Sequence, residues 1–302
     1  MRRIRISHVD AFTDRTFGGN PAGVVPIAQG LTDQEMQSIA NEMNLSETAF
    51  ILPSDKADFR IRWFTPKREI QFCGHATIAS LHVLAEDSKY GMNKDGVFSF
   101  KIETMVGILN VDVEKKGSSI RVILESPRID LVKEELDKKE LSDALRIEET
   151  DIENAYPIMR ERTLDYMYVT LRKLEKLKQV SYDSVKLESF GKKHGIKGFT
   201  VLTKETFEKT SSVHSRFFTP YYGIREDPTT GSSHGPLGVY LVMNGIAKLD
   251  ANNQVLIKAE QGDIMGRPGR MIVKVTRQKD GTYNAKLVSQ AVTVLDGELI
   301  LP

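Results

Sequence analysis

One cysteine, Cys73, is present in 302 residues, so no internal disulfide can form. That usage suits a reducing cytoplasm, where we expect the protein to work. No apolar run approaches the roughly 20 residues that a membrane span needs. Arg2, Arg3 and Arg5 have no apolar run behind them, so we expect a soluble, unprocessed chain with no membrane partner. An excess of one charge is missing too: 42 Lys and Arg face 41 Asp and Glu, for a net +1. There is no global basic field for nucleic acid and no acidic tail. No P-loop occurs and no Gly-x-Gly-x-x-Gly follows a strand pattern, which argues against nucleotide binding. A small neutral or anionic metabolite is the partner that fits. The length is that at which one core splits into two domains.

The first part of the chain alternates strand and helix signals. Arg3 to Phe12 has strand periodicity, Asp14 to Asn20 forms a Gly-rich loop, and Val24 to Ile27 reads as a second strand. Thr32 to Glu35 is a capping box opening a helix to about Asn44, after which Glu47 stands at the start of a strand. Phe59 to Thr65 is a strand stopped by Pro66. The run Cys73-Gly74-His75-Ala76-Thr77 then opens a helix so apolar on all sides that it belongs in a domain centre. Strands follow at 98–103, 107–114 and 119–125. The charged segment Ile129 to Asn154 reads as a solvated helical face.

A near-copy marks the second half. Arg216-Phe217-Phe218-Thr219-Pro220 repeats Arg62-Trp63-Phe64-Thr65-Pro66 at an offset of 216 − 62 = 154. At that offset Cys73 falls on Asp227, and the His75 helix falls on the one opened by Thr229-Thr230-Gly231-Ser232-Ser233. A repeat at half-length implies two similar domains, and we expect a site lined by corresponding loops of both.

These loops hold groups able to bind an anion and move protons. Gly74 and Gly231 open helices whose first backbone N–H groups and dipole suit a carboxylate. Glu47 is by default a solvated turn residue; desolvated among such loops, its pKa would rise enough for it to act as base and acid. His75 reads as a helix-capping donor or as a proton relay. Asp227 either begins a turn before Pro228 or, protonated, donates to substrate. Cys73 reads as a small buried residue rather than a thiolate. Cys73, His75 and His82 make a poor zinc pattern, and His8, His194 and His214 read as structural.

Six ordered motifs resemble the PhzF-like family of phenazine-biosynthesis isomerases over nearly the whole chain. They are Gly18-Gly19-Asn20-Pro21-Ala22, Asn44 to Phe50, Arg62 to Pro66, Cys73 to Thr77, Glu226 to Ser232, and Gln261-Gly262 with Gly266-Arg267-Pro268. The resemblance implies an α+β diaminopimelate epimerase-like fold, two domains each wrapping a curled, barrel-like sheet around a central buried helix in a pseudo-two-fold repeat. The domains would be 1–126 with 286–302, and 127–285. It implies a cofactor-independent isomerase with no metal, acting in the cleft on a small carboxylate. Glu47, His75 and Asp227 match catalytic positions, and Asn20, Ser46, Gly74, Gly231 and Ser232 match substrate-binding ones. Relatives of this kind include homodimers. Two alternatives stay open: an amino-acid racemase, epimerase or dehydratase using Cys73, and a non-catalytic metabolite-binding or interaction protein.

Overall fold

In the computed structural model, which describes residues 1–301, the chain divides into two compact units, 1–125 with 288–301, and 126–287. The first unit contains β1 (Arg2–Ala11), β2 (Asn20–Val25), α1 (Asp33–Met43), β3 (Glu47–Leu52), β4 (Phe59–Phe64), β5 (Glu69–Ile70), α2 (Gly74–Glu86), β6 (Gly96–Thr104), β7 (Gly107–Lys116) and β8 (Ser119–Glu125). The second contains β9 (Leu131–Lys133), α3 (Lys138–Leu145), β10 (Met159–Glu161), β11 (Tyr166–Thr170), α4 (Leu174–Gln179), α5 (Ser184–His194), β12 (Gly198–Thr203), β13 (Val213–Thr219), β14 (Ile224–Asp227), α6 (Gly231–Met243), β15 (Gln254–Gln261) and β16 (Gly269–Arg277). After β17 (Tyr283–Ser289), β18 (Ala291–Leu301) returns the chain to the first unit.

Both units use one pairing scheme. In the first, β2 and β3 run parallel, β3 and β4 antiparallel, β4 and β6 parallel, and β6 and β7 antiparallel. In the second, β11 with β12, β12 with β13, β13 with β15, and β15 with β16 follow the same order of directions. Helix α2 touches β1, β2, β3, β7, β8 and β18, strands from both ends of its sheet, so that sheet curls around the helix. Helix α6 likewise meets β9, β11 and β16.

Sequence explains why these two helices sit inside. Every residue of α2 from Ala76 to Ala85 is buried, so the helix has no face for water. Its hydroxyls find partners within the helix: Thr77 Oγ1 donates to the Cys73 carbonyl at 2.6 Å and Ser80 Oγ to the Ala76 carbonyl at 2.7 Å. Small residues let the strands close in on α6. A Cβ on Gly238 would stand 2.6 Å from Val273 Cγ1 and 2.9 Å from Val275 Cγ2. The outer face of each sheet is covered by amphipathic helices: Met36, Ile39 and Ala40 of α1 pack with Ile6, Val25, Phe50 and Phe64.

Two local readings change. The second strand starts at Asn20, not Val24, and carries Pro21 and Gly23 between β1 and β3. A Cβ at Gly23 would come 2.8 Å from Thr48 Oγ1, so glycine allows that close strand contact. Gly19, at φ +53°, closes the preceding turn where a Cβ would meet the Ala11 carbonyl oxygen. The charged stretch after Ile129 is not only a solvated face. It gives β9 and then α3, capped by Asp137, whose Leu141, Ala144 and Leu145 are buried with Leu187 and Phe190 of α5. Charge density hid a short amphipathic helix, since the apolar residues recur one turn apart among Lys and Glu.

Replacing Gly238 with Val should cost about 1–3 kcal/mol by overpacking against β16. A thermal melt that matches the parent's would show that α6 has room the packing does not reveal.

Candidate active site

The repeated Arg-x-Phe-Thr-Pro strand ends are structural clamps. Arg62 binds Glu69 with two hydrogen bonds of 2.7 Å, and Arg216 binds Glu226 at 2.8 and 2.7 Å. Such bidentate pairing fixes direction as well as distance. In each unit it ties the short return strand, β5 or β14, to the strand before it, and so sets where the next helix begins.

That geometry revises the internal alignment. The arginines lie 154 apart, but their glutamates (226 − 69) and the helix starts (231 − 74) lie 157 apart. A 3₁₀ turn at Pro220–Tyr222 accommodates the added residues. Cys73, the N-cap of α2, therefore corresponds to Thr230, the N-cap of α6, and not to Asp227. Strand register matches Phe50, opposite Arg62, with Val201, opposite Arg216, so Glu47 corresponds to Gly198. A Cβ at Gly198 would lie 2.5 Å from Phe217 Cζ and 2.9 Å from Tyr166 Cδ1. Two aromatic rings occupy the place where a second carboxylate would stand.

In the first unit the structure brings Glu47, Ser46, Cys73 and His75 together. The chain leaves α1 through Asn44 in the left-handed region, which turns it at once into β3 with Glu47 as first residue. Glu47 Oε2 lies 3.1 Å from His75 Nε2, with both side chains nearly buried. Ser46 Oγ is 3.2 Å from the same nitrogen, and Cys73 Sγ is 3.4 Å from His75 Nδ1. The Glu47–His75 contact has ion-pair distance but poor hydrogen-bond direction, so Oε2 is buried without a well-aligned donor. A lone pair is left for a proton to occupy. Asn20 opens β2, and its neighbours Pro21 and Ala22 reach this site: the Pro21 carbonyl accepts from Ser46 Oγ at 3.4 Å, and Ala22 pairs with Glu47.

The titration behaviour of this group differs from the expectation for Glu47. Burial pushes its pKa up, but the closeness and charge of the His75 ring outweigh burial and hold the carboxyl below its ordinary value. Burial disfavours the charged His75 ring, yet the Cys73 sulfur and the Glu47 carboxylate raise it well above its usual value. Burial and the Glu47 charge push the Cys73 thiol up. The site thus favours a Glu47 carboxylate and a Cys73 thiol, with the nearby negative charge favouring a proton on His75.

Gly74 begins α2, and a Cβ there would meet nothing nearer than Phe72 Cε1 at 4.0 Å. Space is open above this helix start, where backbone donors and the helix dipole favour an anion.

The second unit assembles a different set. Thr230 Oγ1 donates to Asp227 Oδ2 at 2.5 Å. Gln261 Nε2 donates to the Asp227 carbonyl at 2.6 Å, and Gln261 Oε1 accepts from Thr230 N at 3.2 Å. The Gln261-Gly262 motif thereby acquires a physical role: it clamps the loop that leads into Gly231 and Ser232. Its glycine, at φ +91°, passes where a Cβ would be 2.6 Å from the Pro228 oxygen. Tyr166, at the head of β11, is buried beside Ser232; burial pushes its pKa up to about 12, while a bond to Ser232 opposes the rise. Its one sequence signal was its position heading β11, as Ala22 stands beside Glu47 on β2. Ser233 and His234 turn inward, with His234 Nδ1 donating to the Thr230 carbonyl at 2.8 Å.

Two groups among the described residues have metal-type donors close together: Glu47, Cys73 and His75, and His214, Glu260 and Asp263. In the latter, Glu260 accepts from the Phe207 and Glu208 amides and Arg270 binds Asp263 with two hydrogen bonds. Those donors are already engaged. His82, buried on α2, faces Glu86 at 3.2 Å and not Cys73. No helix among the described residues is long and apolar enough to cross a membrane.

Comparison with known proteins agrees with this architecture. The family described as "Phenazine biosynthesis-like protein" matches residues 9–297. An uncharacterized isomerase of Clostridium acetobutylicum is 38% identical over 310 residues, covering 100% of this chain and 99% of the relative. The uncharacterized isomerase YddE of Escherichia coli K12 is 34% identical, with 97% of each chain covered. A crystal structure of a PhzF-family phenazine biosynthesis protein from Bacillus anthracis superposes with a TM-score of 0.88 at 28% identity, covering 100% of both chains. A probable proline racemase of Agrobacterium radiobacter K84, at 12% identity and a TM-score of 0.60 over 99% of this chain and 93% of that one, shares the fold alone.

The Glu47–His75 pair predicts a pH signature. A carboxyl lowered from 4.5 adds stability that is whole above 4.5 and is lost as pH falls through its folded value. An imidazole raised from 6.5 adds stability that is whole below 6.5 and is lost as pH climbs through its folded value. The melting-temperature difference between parent and Glu47→Gln should therefore peak between pH 4.5 and 6.5. A difference that is flat with pH would mean that no ion pair forms.

Proposed function

The chain belongs to the phenazine biosynthesis-like family, and from that premise we propose that it is a cofactor-independent isomerase of a small carboxylate metabolite, built on the diaminopimelate epimerase-like fold. The observation that carries this reading is the buried Glu47–His75 pair beside the open start of α2, with Gly198 in Glu47's place in the second unit. Two relatives named as isomerases support the reaction class.

The substrate carboxylate binds at the Gly74 helix start, with Ser46 and Asn20 orienting the neighbouring polar groups. An anion brought there opposes a second negative charge and pushes the Glu47 pKa back up, which makes the carboxylate a stronger base once substrate is bound. Glu47 removes a proton from the carbon next to an activating group, and the released electron pair delocalises into that group. Glu47 then returns the proton to another carbon of the delocalised system. His75 supports the carboxylate in its ionised form and offers a donor to developing charge. Within the second unit, the loop that carries Asp227, Gly231 and Ser232 is preset by the Thr230–Asp227 bond and the Gln261 clamp.

A base in the first repeat with glycine at the matching position of the second favours a proton shift by a single group over racemisation by two opposed bases. The thiol reading lacks its second member, because the residue matching Cys73 is Thr230.

A panel of small unsaturated and amino carboxylates, incubated with the protein in D2O and read by mass spectrometry, should contain a compound that gains deuterium. Glu47→Gln should slow that gain by at least about 10²-fold. An undiminished rate would remove Glu47 from the mechanism. Panel members that raise the melting temperature without any exchange would favour a non-catalytic binding protein.

A further inference from the structure

Phe72 directly precedes the N-cap of α2, and 37% of its surface is exposed. Its ring is nonetheless braced. It meets Trp63 edge to face, with centroids 5.7 Å apart and planes at 71°, and Trp63 is fully buried. Trp63 stands opposite Ala49, which follows Glu47 by two residues and so shares its face of β3. The indole that supports Phe72 therefore lies on the face of the sheet that carries the proposed base. Phe72 Cε1 is also the nearest atom, at 4.0 Å, to the place that a Cβ on Gly74 would take. The ring thus flanks the open start of α2.

The repeat shows that the scaffold does not require this ring. At the offset of 157 that relates the two helix starts, Phe72 corresponds to Thr229, which is small and fully buried. The second unit closes the same point of its frame without an exposed aromatic. Isolated apolar side chains are common on surfaces, but this one is held against a buried partner and beside a polar site.

We propose that Phe72 is a specificity-determining residue: its exposed ring forms an apolar wall beside the start of α2 and selects carboxylates that carry an apolar flank next to the carboxyl group. This role rests on the reading of the α2 start as the carboxylate site. Backbone donors at a helix start hold the carboxyl group of any carboxylate alike, so they do not tell one ligand from another. The part of the ligand that leaves water against the ring does. A polar flank loses its water there and finds no hydrogen-bond partner on the ring. An ammonium over the face of the ring is the other ligand that an aromatic wall can take, and the test separates the two.

Trp63 is the only tryptophan, so its indole N–H gives a single NMR resonance that reports on the Phe72 ring. Acetate, alanine and benzoate are titrated separately into 15N-labelled parent, Phe72→Ala and Phe72→Leu, and Kd is read from that resonance and from the amides of the first turn of α2. In the parent, benzoate should bind roughly 10-fold more tightly than acetate, and more tightly than alanine. In Phe72→Ala that preference should shrink to about 2-fold or less while the acetate Kd stays at the parent's value. Phe72→Leu keeps apolar bulk against Trp63 but no flat face, so it should lose part of the preference, and it decides the matter if Phe72→Ala folds poorly. Equal affinity for acetate and benzoate in the parent would overturn the wall and leave the carboxylate site standing. A preference that stays at the parent's level in the variants would do the same, as would alanine binding more tightly than benzoate, which would assign the ring to an ammonium. Binding of none of the three would overturn the carboxylate site and the wall with it. Deuterium exchange by Glu47→Gln judges the base separately.

Discussion

A helix with no polar side has to be enclosed, and each unit is organised by that requirement. From Ala76 to Ala85 there is no residue that α2 can turn toward water, and α6 is buried almost as completely from Ser233 to Leu241. A flat sheet could cover one face of such a helix; a curled one covers the circumference. The helix must still begin somewhere. Its first turn carries N–H groups with no intrahelical acceptor, so the start of α2 lies at the rim of its sheet, where the backbone remains available for an anion. Enclosing the apolar body and exposing the polar start are consequences of one constraint.

The bidentate Arg–Glu clamps decide where that start lies. Arg62 with Glu69 and Arg216 with Glu226 hold the return strands in matching places even though the second unit carries three more residues between clamp partners. Equivalent scaffolds then present unlike chemistry. The first has Glu47, Cys73 and His75; the second has Gly198, Thr230 and Ser232 at the matching positions, with Tyr166 and Phe217 filling the space beside Gly198. A duplicated frame has kept its packing and diverged where side chains meet the open helix start.

Among the acids and bases, charge coupling outweighs burial. A carboxyl as enclosed as Glu47 would ordinarily be pushed toward protonation, and His75 reverses that direction. The pair is therefore set to accept a proton, and an arriving anion changes its balance. Coupled groups of this kind respond to what binds them, in contrast to Glu260, which His214 and the Phe207 and Glu208 amides already hold within its unit.

Much of this was legible from residue order alone. Helical patterning marked α1 and α2, the Phe-Thr-Pro stops located strand ends, and the half-length repeat pointed to two similar units, because apolar periodicity and proline chemistry are local properties of the chain. Composition also directed attention to Glu47, Cys73 and His75. Tertiary structure decided what local pattern could not. Pairing register made Thr230, not Asp227, the partner of Cys73, since three inserted residues shift a linear alignment but not a hydrogen-bonded strand. It paired Glu47 with His75 across 28 residues and so reversed the expected direction of the Glu47 pKa, because that value depends on a charge whose distance no sequence spacing records. It likewise gave Gln261 its loop and Tyr166 its place beside Ser232, contacts made only when strands far apart in the chain are folded into one sheet.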